Sequence, residues 1–177
     1  MNFARVESVN SPDMIKSLAL KMLARGIVPE MECFDLGMAE YANYLLGHSV
    51  LQSPLYCNIL LGSLGTLSGT AFNLESVVRA LPPGTTWAAA GIGRFQLRVN
   101  SMAVIMGGHV RVGLEDNLWY DDGRTRLATN ADLVDRIVRL AGVIGREVAS
   151  PDEAREIIGL ARRENRAAIG RLTRIAA

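Results

Sequence analysis

Apolar residues recur along this chain in two rhythms, about 3.6 residues apart and two apart, and each change of rhythm marks an element. Ser11-Pro12-Asp13 opens a helix, with Ser11 as N-cap and Pro12 at the first helical position. Ile15, Leu18, Ala19, Met22 and Leu23 then fall at helical spacing, and Gly26 ends the helix. A strand is predicted over 27–34, with Glu30, Glu32 and Phe34 on one face. A helix over 35–47 gathers Met38, Tyr41, Ala42 and Leu45 on one side, with Asp35 as its N-cap. Residues 54–61 form a continuous apolar run, the pattern of a strand buried on both faces. Phe72, Leu74, Val77, Val78 and Leu81 mark the next helix, stopped by Pro82-Pro83-Gly84. Trp87 and small alanines build a strand over 85–91; a helix over 96–106 ends at Gly107-Gly108.

In the next strand, 109–115, Val110, Val112 and Leu114 alternate with Arg111, Gly113 and Glu115. Thr129-x-x-Asp132 makes a capping box ahead of Leu133, Val134, Ile137, Val138, Ala141 and Ile144. Ser150-Pro151-Asp152-Glu153 makes a second box, opening a helix that runs to at least Leu160. Strands alternating with helices predict an α/β fold with parallel strands and helices packed outside. The chain holds about four such βα units. Four parallel strands leave two sheet edges unpaired. Residues 1–160 read as one domain. Residues 161–177 read as an Arg-rich extension, either a solvated helical end or a contact for an acidic partner.

Composition narrows the setting. The 177 residues are 49% hydrophobic and 21% charged, as in ordinary globular chains. The net charge of +1 gives no general attraction to nucleic acid or membrane. No apolar run approaches the roughly 18 residues of a membrane span. The N-terminus has no signal-peptide core. Cys33 and Cys57 lie in apolar runs without zinc spacing, as reduced core residues of a cytoplasmic protein.

Candidate chemistry gathers at the end of the strand 109–115. Arg111 and Glu115 share one strand face and Asp116 follows where the strand opens. Ions rarely face a buried position unless paired or holding a metal, so this is either a reactive site or an internal ion pair. Glu32, at the end of the first strand, is either beside the same pocket or a solvated carboxylate. Gly91, Gly93 and Arg94 follow the third strand and open a helix, a place where backbone N–H groups bind phosphate. Gly62 to Gly69 lacks the Lys-Ser/Thr ending of a nucleotide loop. His48 ends a helix, and His109 precedes its strand at the end away from the candidate chemistry.

The run from His109 to Asn117 resembles the last barrel strand of the β-keto acid cleavage enzymes, whose founding activity is 3-keto-5-aminohexanoate cleavage. The stretches 29–37, 81–87, 90–94 and 145–155 match that family in the same order. The resemblance covers roughly residues 1–160 and only the second half of the family's fold. It implies the second half of a TIM-type barrel, and an exchange in which a β-keto acid and acetyl-CoA become acetoacetate and a new acyl-CoA. It further implies that Glu115 is the family's carboxylate zinc ligand, that Arg111 lies in the pocket and that Asp116 transfers protons. A coenzyme A phosphate would sit at Gly91-Ile92-Gly93-Arg94. The family's other zinc ligands are a His-x-His pair in the preceding half, and this sequence contains no His-x-His. The expected partners are therefore the β-keto acid, acetyl-CoA, and either a second copy or a complementary N-terminal half. The rival readings are an inactive fragment and a half-barrel that binds acyl-CoA or protein without chemistry.

Overall fold

The structure, a computed structural model, describes residues 9–160. The readings of the extreme N-terminus and of the Arg-rich stretch beyond Leu160 lie outside the described residues. In chain order the elements are α1 (Pro12–Leu23), β1 (Glu30–Cys33), α2 (Leu36–Gly47), β2 (Tyr56–Leu61), α3 (Ala71–Ala80), β3 (Thr86–Gly91), a 3-10 turn (Gly93–Phe95), α4 (Gln96–Ile105), β4 (His109–Val110), α5 (Asn130–Ile144) and α6 (Pro151–Ile157). The described residues up to Arg146 form one compact unit, and those from Glu147, with α6, form another.

Most helices begin where a short polar side chain satisfies an otherwise unpaired N–H. Ser11 accepts from Met14 N, Asp35 from Met38 N and Thr70 from Asn73 N. Thr129 and Ser150 form reciprocal capping boxes with Asp132 and Glu153. The helix expected to reach Leu160 ends at Ile157, where Gly159 takes a positive φ and Leu160 N bonds back to Arg155 O.

The four strands are all parallel and lie in chain order, β1-β2-β3-β4. This is the α/β arrangement of a partial TIM-type barrel. Glu30 pairs with Tyr56, Cys57 with Trp87 and Ala88 with His109, which fixes the register across the sheet. One face packs under the helices. Cys33, Cys57, Ile59, Leu61 and Ala89 meet Ala39 of α2, Leu74 and Val77 of α3, and Val99 and Ala103 of α4. Burying each large aliphatic side chain there contributes roughly 1.5–3 kcal/mol. A second cluster seats Ala19 of α1 against Ala42, Leu45, Val50, Leu51 and Leu55. The opposite face carries Phe34, Leu60 and Ala90, a small apolar group towards the C-terminal ends of the strands.

Strand β4 is much shorter than the expected 109–115. The ladder continues for one bond, from Arg111 N to Ala89 O at 3.2 Å, and then stops. Asn100, fully buried in α4, donates its Nδ2 both to Ala89 O at 2.8 Å and to Arg111 O at 3.1 Å. The backbone then turns, with Asp116 N and Asn117 N both bonding to Gly113 O. Val112 and Leu114 therefore lie in a half-buried loop, not on a strand face. Phe72 also departs from expectation: it is 76% exposed, because α3 turns Leu74 and Val77 inward instead. No helix among the described residues is long and apolar enough to cross a membrane.

Candidate active site

Strand alternation puts Glu30 and Glu32 of β1, Asn58 of β2 and Arg111 beyond β4 on the face away from the helices. Arg111 is the centre of the group. Its Nη1 lies 2.8 Å from Glu32 Oε1, its Nη2 2.7 Å from Glu115 Oε2, and its Nε 3.5 Å from Asp116 Oδ2. One guanidinium thus gathers three of the sequence-predicted residues at the C-terminal end of the sheet. Glu115 gets there by the turn at Gly113, which brings it back towards Arg111, and it stays 82% exposed. An ion pair that open to water is worth well under about 1 kcal/mol.

Asp116 is the buried member, its side chain only 4% exposed. Its contact with Arg111 is an ion pair without hydrogen-bond geometry, and Oδ2 has no hydrogen-bond partner among the described residues. Burial pushes the Asp116 carboxyl above the ordinary aspartate pKa. Arg111 pulls it down in part, and Glu115 and Glu32 push it up again. Burial works against the charge of Arg111 as well, but Asp116, Glu32 and Glu115 outweigh it and raise its pKa. The result is a permanently charged guanidinium beside a carboxylate that is displaced towards neutrality and has a free lone pair. Such a pair is suited to taking up and returning a proton while an anion forms nearby.

The glycine turn after β3 has its own constraints. A Cβ on Gly91 would fall 2.7 Å from Gln96 Cα and closer still to the Phe95 carbonyl, so only glycine lets α4 start this close to the sheet. Gly93 has φ +56°, and its N–H donates to Asp116 O at 2.7 Å. That bond ties the turn to the Asp116 loop. Arg94 is exposed, with its guanidinium 5.1 Å from the Phe95 ring centroid.

Three neighbours of this cluster escaped the sequence reading, and all are buried amides. Asn100 holds the backbone of Arg111, as described above. Gln96 donates to Gly113 O at 3.2 Å and accepts from Arg136 Nη2 at 3.1 Å, bracing the same loop. Asn58 donates to Glu30 Oε1, and its Oδ1, like Asp116 Oδ2 and Asn100 Oδ1, is a buried acceptor without a hydrogen-bond partner among the described residues. For Asn58 the available signal was an amide inside an otherwise apolar stretch, since buried polar groups need partners and so imply a network; Gln96 and Asn100 lie in a mixed polar stretch that gives no such sign.

The histidines lie elsewhere. His48 caps α2, with Nδ1 2.8 Å from Tyr44 O. His109 begins β4, where burial and then Arg146 lower its pKa. Among the described residues no three His, Cys, Asp or Glu side chains come together to hold a metal. Glu115 offers one oxygen arm, already turned to Arg111. The donor set of the described residues therefore does not by itself fit zinc.

The family model for the beta-keto acid cleavage enzyme matches residues 1–160. The 3-keto-5-aminohexanoate cleavage enzyme of Fusobacterium nucleatum is 42% identical over 152 residues, covering 86% of this chain and 55% of that protein. The enzyme of the same name from Acetoanaerobium sticklandii is 38% identical over 154 residues, covering 87% and 56%. A 3-dehydrocarnitine:acetyl-CoA trimethylamine transferase of Rhizobium meliloti is 34% identical over 165 residues, covering 92% and 54%. The chain spans little more than half the length of these relatives.

Proposed function

The chain belongs to the beta-keto acid cleavage enzyme family, and from that premise we propose that it forms one wall of a pocket in which a β-keto acid exchanges acyl groups with acetyl-CoA. The observation that carries this reading is the buried Asp116 carboxylate, with an unpartnered Oδ2 beside the Arg111 guanidinium. Asp116 takes the proton from C2 of the β-keto acid, the carbon between the ketone and the carboxylate. Arg111 faces the negative charge that develops. The C2 carbanion attacks the thioester carbonyl of acetyl-CoA and expels the CoA thiolate. The thiolate then attacks the original keto carbon, and the bond from that carbon to C2 breaks. C2 takes its proton back from Asp116, leaving acetoacetate and a new acyl-CoA. Glu32 and Glu115 hold Arg111 from two sides and set its angle to Asp116.

Zinc, the Lewis acid implied by the resemblance, carries no step here, because the Glu115 carboxylate is held by Arg111 and no group of three metal-binding side chains forms among the described residues. The opposite wall, with further strands, comes from outside the described residues: a complementary chain, a further segment or a second copy pairs with the edges β1 and β4. The free, buried Cys33 and Cys57 fit a cytoplasmic setting.

The test is an assay of acetoacetate formation from a β-keto acid and acetyl-CoA. The 177-residue chain alone should give none, and a mixture with a polypeptide carrying the family's preceding strands should turn over. Asp116→Asn in the mixture should lower kcat by about 100-fold or more. Enzyme-like turnover by the chain alone, or an unimpaired Asp116→Asn mixture, would refute the proposal.

A further inference from the structure

A cleft opens beside the Asp116 loop, between the 3-10 turn and the segment 118–128, and Gly93, Arg94, Arg98, Trp119, Arg124 and Arg136 line it. The far wall is a small hairpin. Trp119 bridges Leu127 in antiparallel fashion, Tyr120 N bonds to Arg126 O at 2.9 Å, and Ala128 N bonds to Leu118 O at 2.9 Å. The Asp121 carboxylate pins the tip by accepting from Thr125 N at 3.0 Å and Arg126 N at 2.7 Å. Arg126 and Arg136 both lie over the Tyr120 ring, at 4.3 Å and 5.0 Å from its centroid. The hairpin is therefore a braced structure, held to α5 through Arg136.

The charges of this cleft do not cancel. Four guanidiniums and two carboxylates line it. Asp121 is engaged by the N–H groups of its own turn, and Asp122 pairs with Arg98 at 2.9 Å. Arg136 bonds to Tyr120 O and Gln96 Oε1, and its buried Nε has no hydrogen-bond partner among the described residues. Arg94 and Arg124 have no ion pair among the described residues. Arg124 holds φ +56°, a conformation rare for a residue with a side chain. Two uncompensated cations facing one cleft repel each other unless an anion lies between them, and planar guanidinium forks match phosphate oxygens. The aromatic Trp119 lines the same space. The cleft also adjoins the reaction site directly, because Gly93 N donates to Asp116 O.

We infer that this cleft binds the phosphate groups of the acyl-CoA, with Arg94 on one wall and Arg124 of the hairpin on the other. The inference rests on the acyl-exchange reading above and deepens it: the hairpin selects a phosphorylated thioester carrier over a bare pantetheine thioester.

Calorimetric titration of the 177-residue chain tests this with CoA, dephospho-CoA, pantetheine and inorganic pyrophosphate as probes. CoA and pyrophosphate should bind, and pantetheine should bind at least tenfold more weakly than CoA. The weakening with dephospho-CoA measures the share of the 3′-phosphate against that of the pyrophosphate. The double variant Arg94→Gln/Arg124→Gln should lose CoA affinity at least tenfold with an unchanged melting temperature, since both side chains are exposed. Asp116→Asn should keep it. Equal CoA affinity in the double variant, or pantetheine binding as tightly as CoA, would overturn the inference. Pyrophosphate binding without CoA binding would overturn the acyl-CoA assignment. Failure of the acetoacetate assay alone would count against the proposed reaction and not against this cleft.

Discussion

Arg111 and Glu32 meet at 2.8 Å although they stand at opposite edges of the sheet, 79 residues apart. Two strands lie between them. In a flat sheet, three strand spacings would hold their backbones about 14 Å apart. Side chains that stand off the sheet face meet this closely where the sheet curls about that face, as a segment of barrel wall does. The ion pair spans the curve from β1 to the end of β4.

The two ends of that pair should respond unequally to substitution. Glu32→Gln should cost less than about 1 kcal/mol, because the pair is half open to solvent and Arg111 keeps two other carboxylates. Arg111→Ala should cost about 3 kcal/mol, because it leaves Asp116 charged, buried and without a cation. Urea denaturation of the two variants compares them, and equal losses would contradict the central place of Arg111.

Asp116 predicts an unusual dependence of stability on pH. Its folded pKa is raised, so between the unfolded and folded values the native chain binds more protons than the unfolded one. The stability contributed by this group is present below the unfolded value, about pH 4, and is lost as pH rises through the folded value. Asp116→Asn should flatten that fall and leave the chain at least as stable as the parent at neutral pH. Denaturation midpoints measured between about pH 4 and about pH 7 check the sign; an Asn variant that loses stability chiefly at neutral pH would reverse it.

Gly91→Ala and Gly93→Ala separate close approach from backbone conformation. The first puts a methyl group into the backbone of Phe95 and Gln96, and should cost about 2–3 kcal/mol by pushing α4 off the sheet. The second meets no atom within 4 Å and incurs only the strain of φ +56°, about 1 kcal/mol. Thermal unfolding of the pair tests the order.

Asn100→Leu should cost about 1–3 kcal/mol, since it leaves the Ala89 and Arg111 carbonyls without their side-chain donor. In the complemented enzyme it should also lower kcat while sparing the KM for acetyl-CoA, because Asn100 positions the Arg111 backbone and lies away from the cleft. An unchanged kcat would limit Asn100 to a structural part.

Which features were legible in the sequence follows from how local their causes are. The caps at Ser11, Asp35, Thr129 and Ser150 act over three residues, and each expected cap is present. The parallel strand order follows from the alternation of strand and helix. The length of β4 does not, because an amide eleven residues away in α4 and a turn at Gly113 end that strand. Arg111 and Glu115 were matched by strand alternation but meet through that turn, and the burial of Asp116 depends on the same loop. The 118–128 hairpin has no apolar periodicity to announce it; its sign is Asp121 placed to accept from the N–H groups of Thr125 and Arg126.

Each strand pairs only with its neighbours in the chain, and this gives the sheet a gradient of dynamics. β2 and β3 are flanked on both sides and pack beneath three helices, whereas β1 and β4 each have one bonded neighbour and one open seam among the described residues. Amide hydrogen exchange should be slowest at Ile59 and Ala89 and fastest along the outer seams of β1 and β4. Opening of the protein will therefore begin at its margins, where Glu32 and Arg111 are rooted. Whatever closes those seams will slow exchange there and quiet the motion of the ion cluster together.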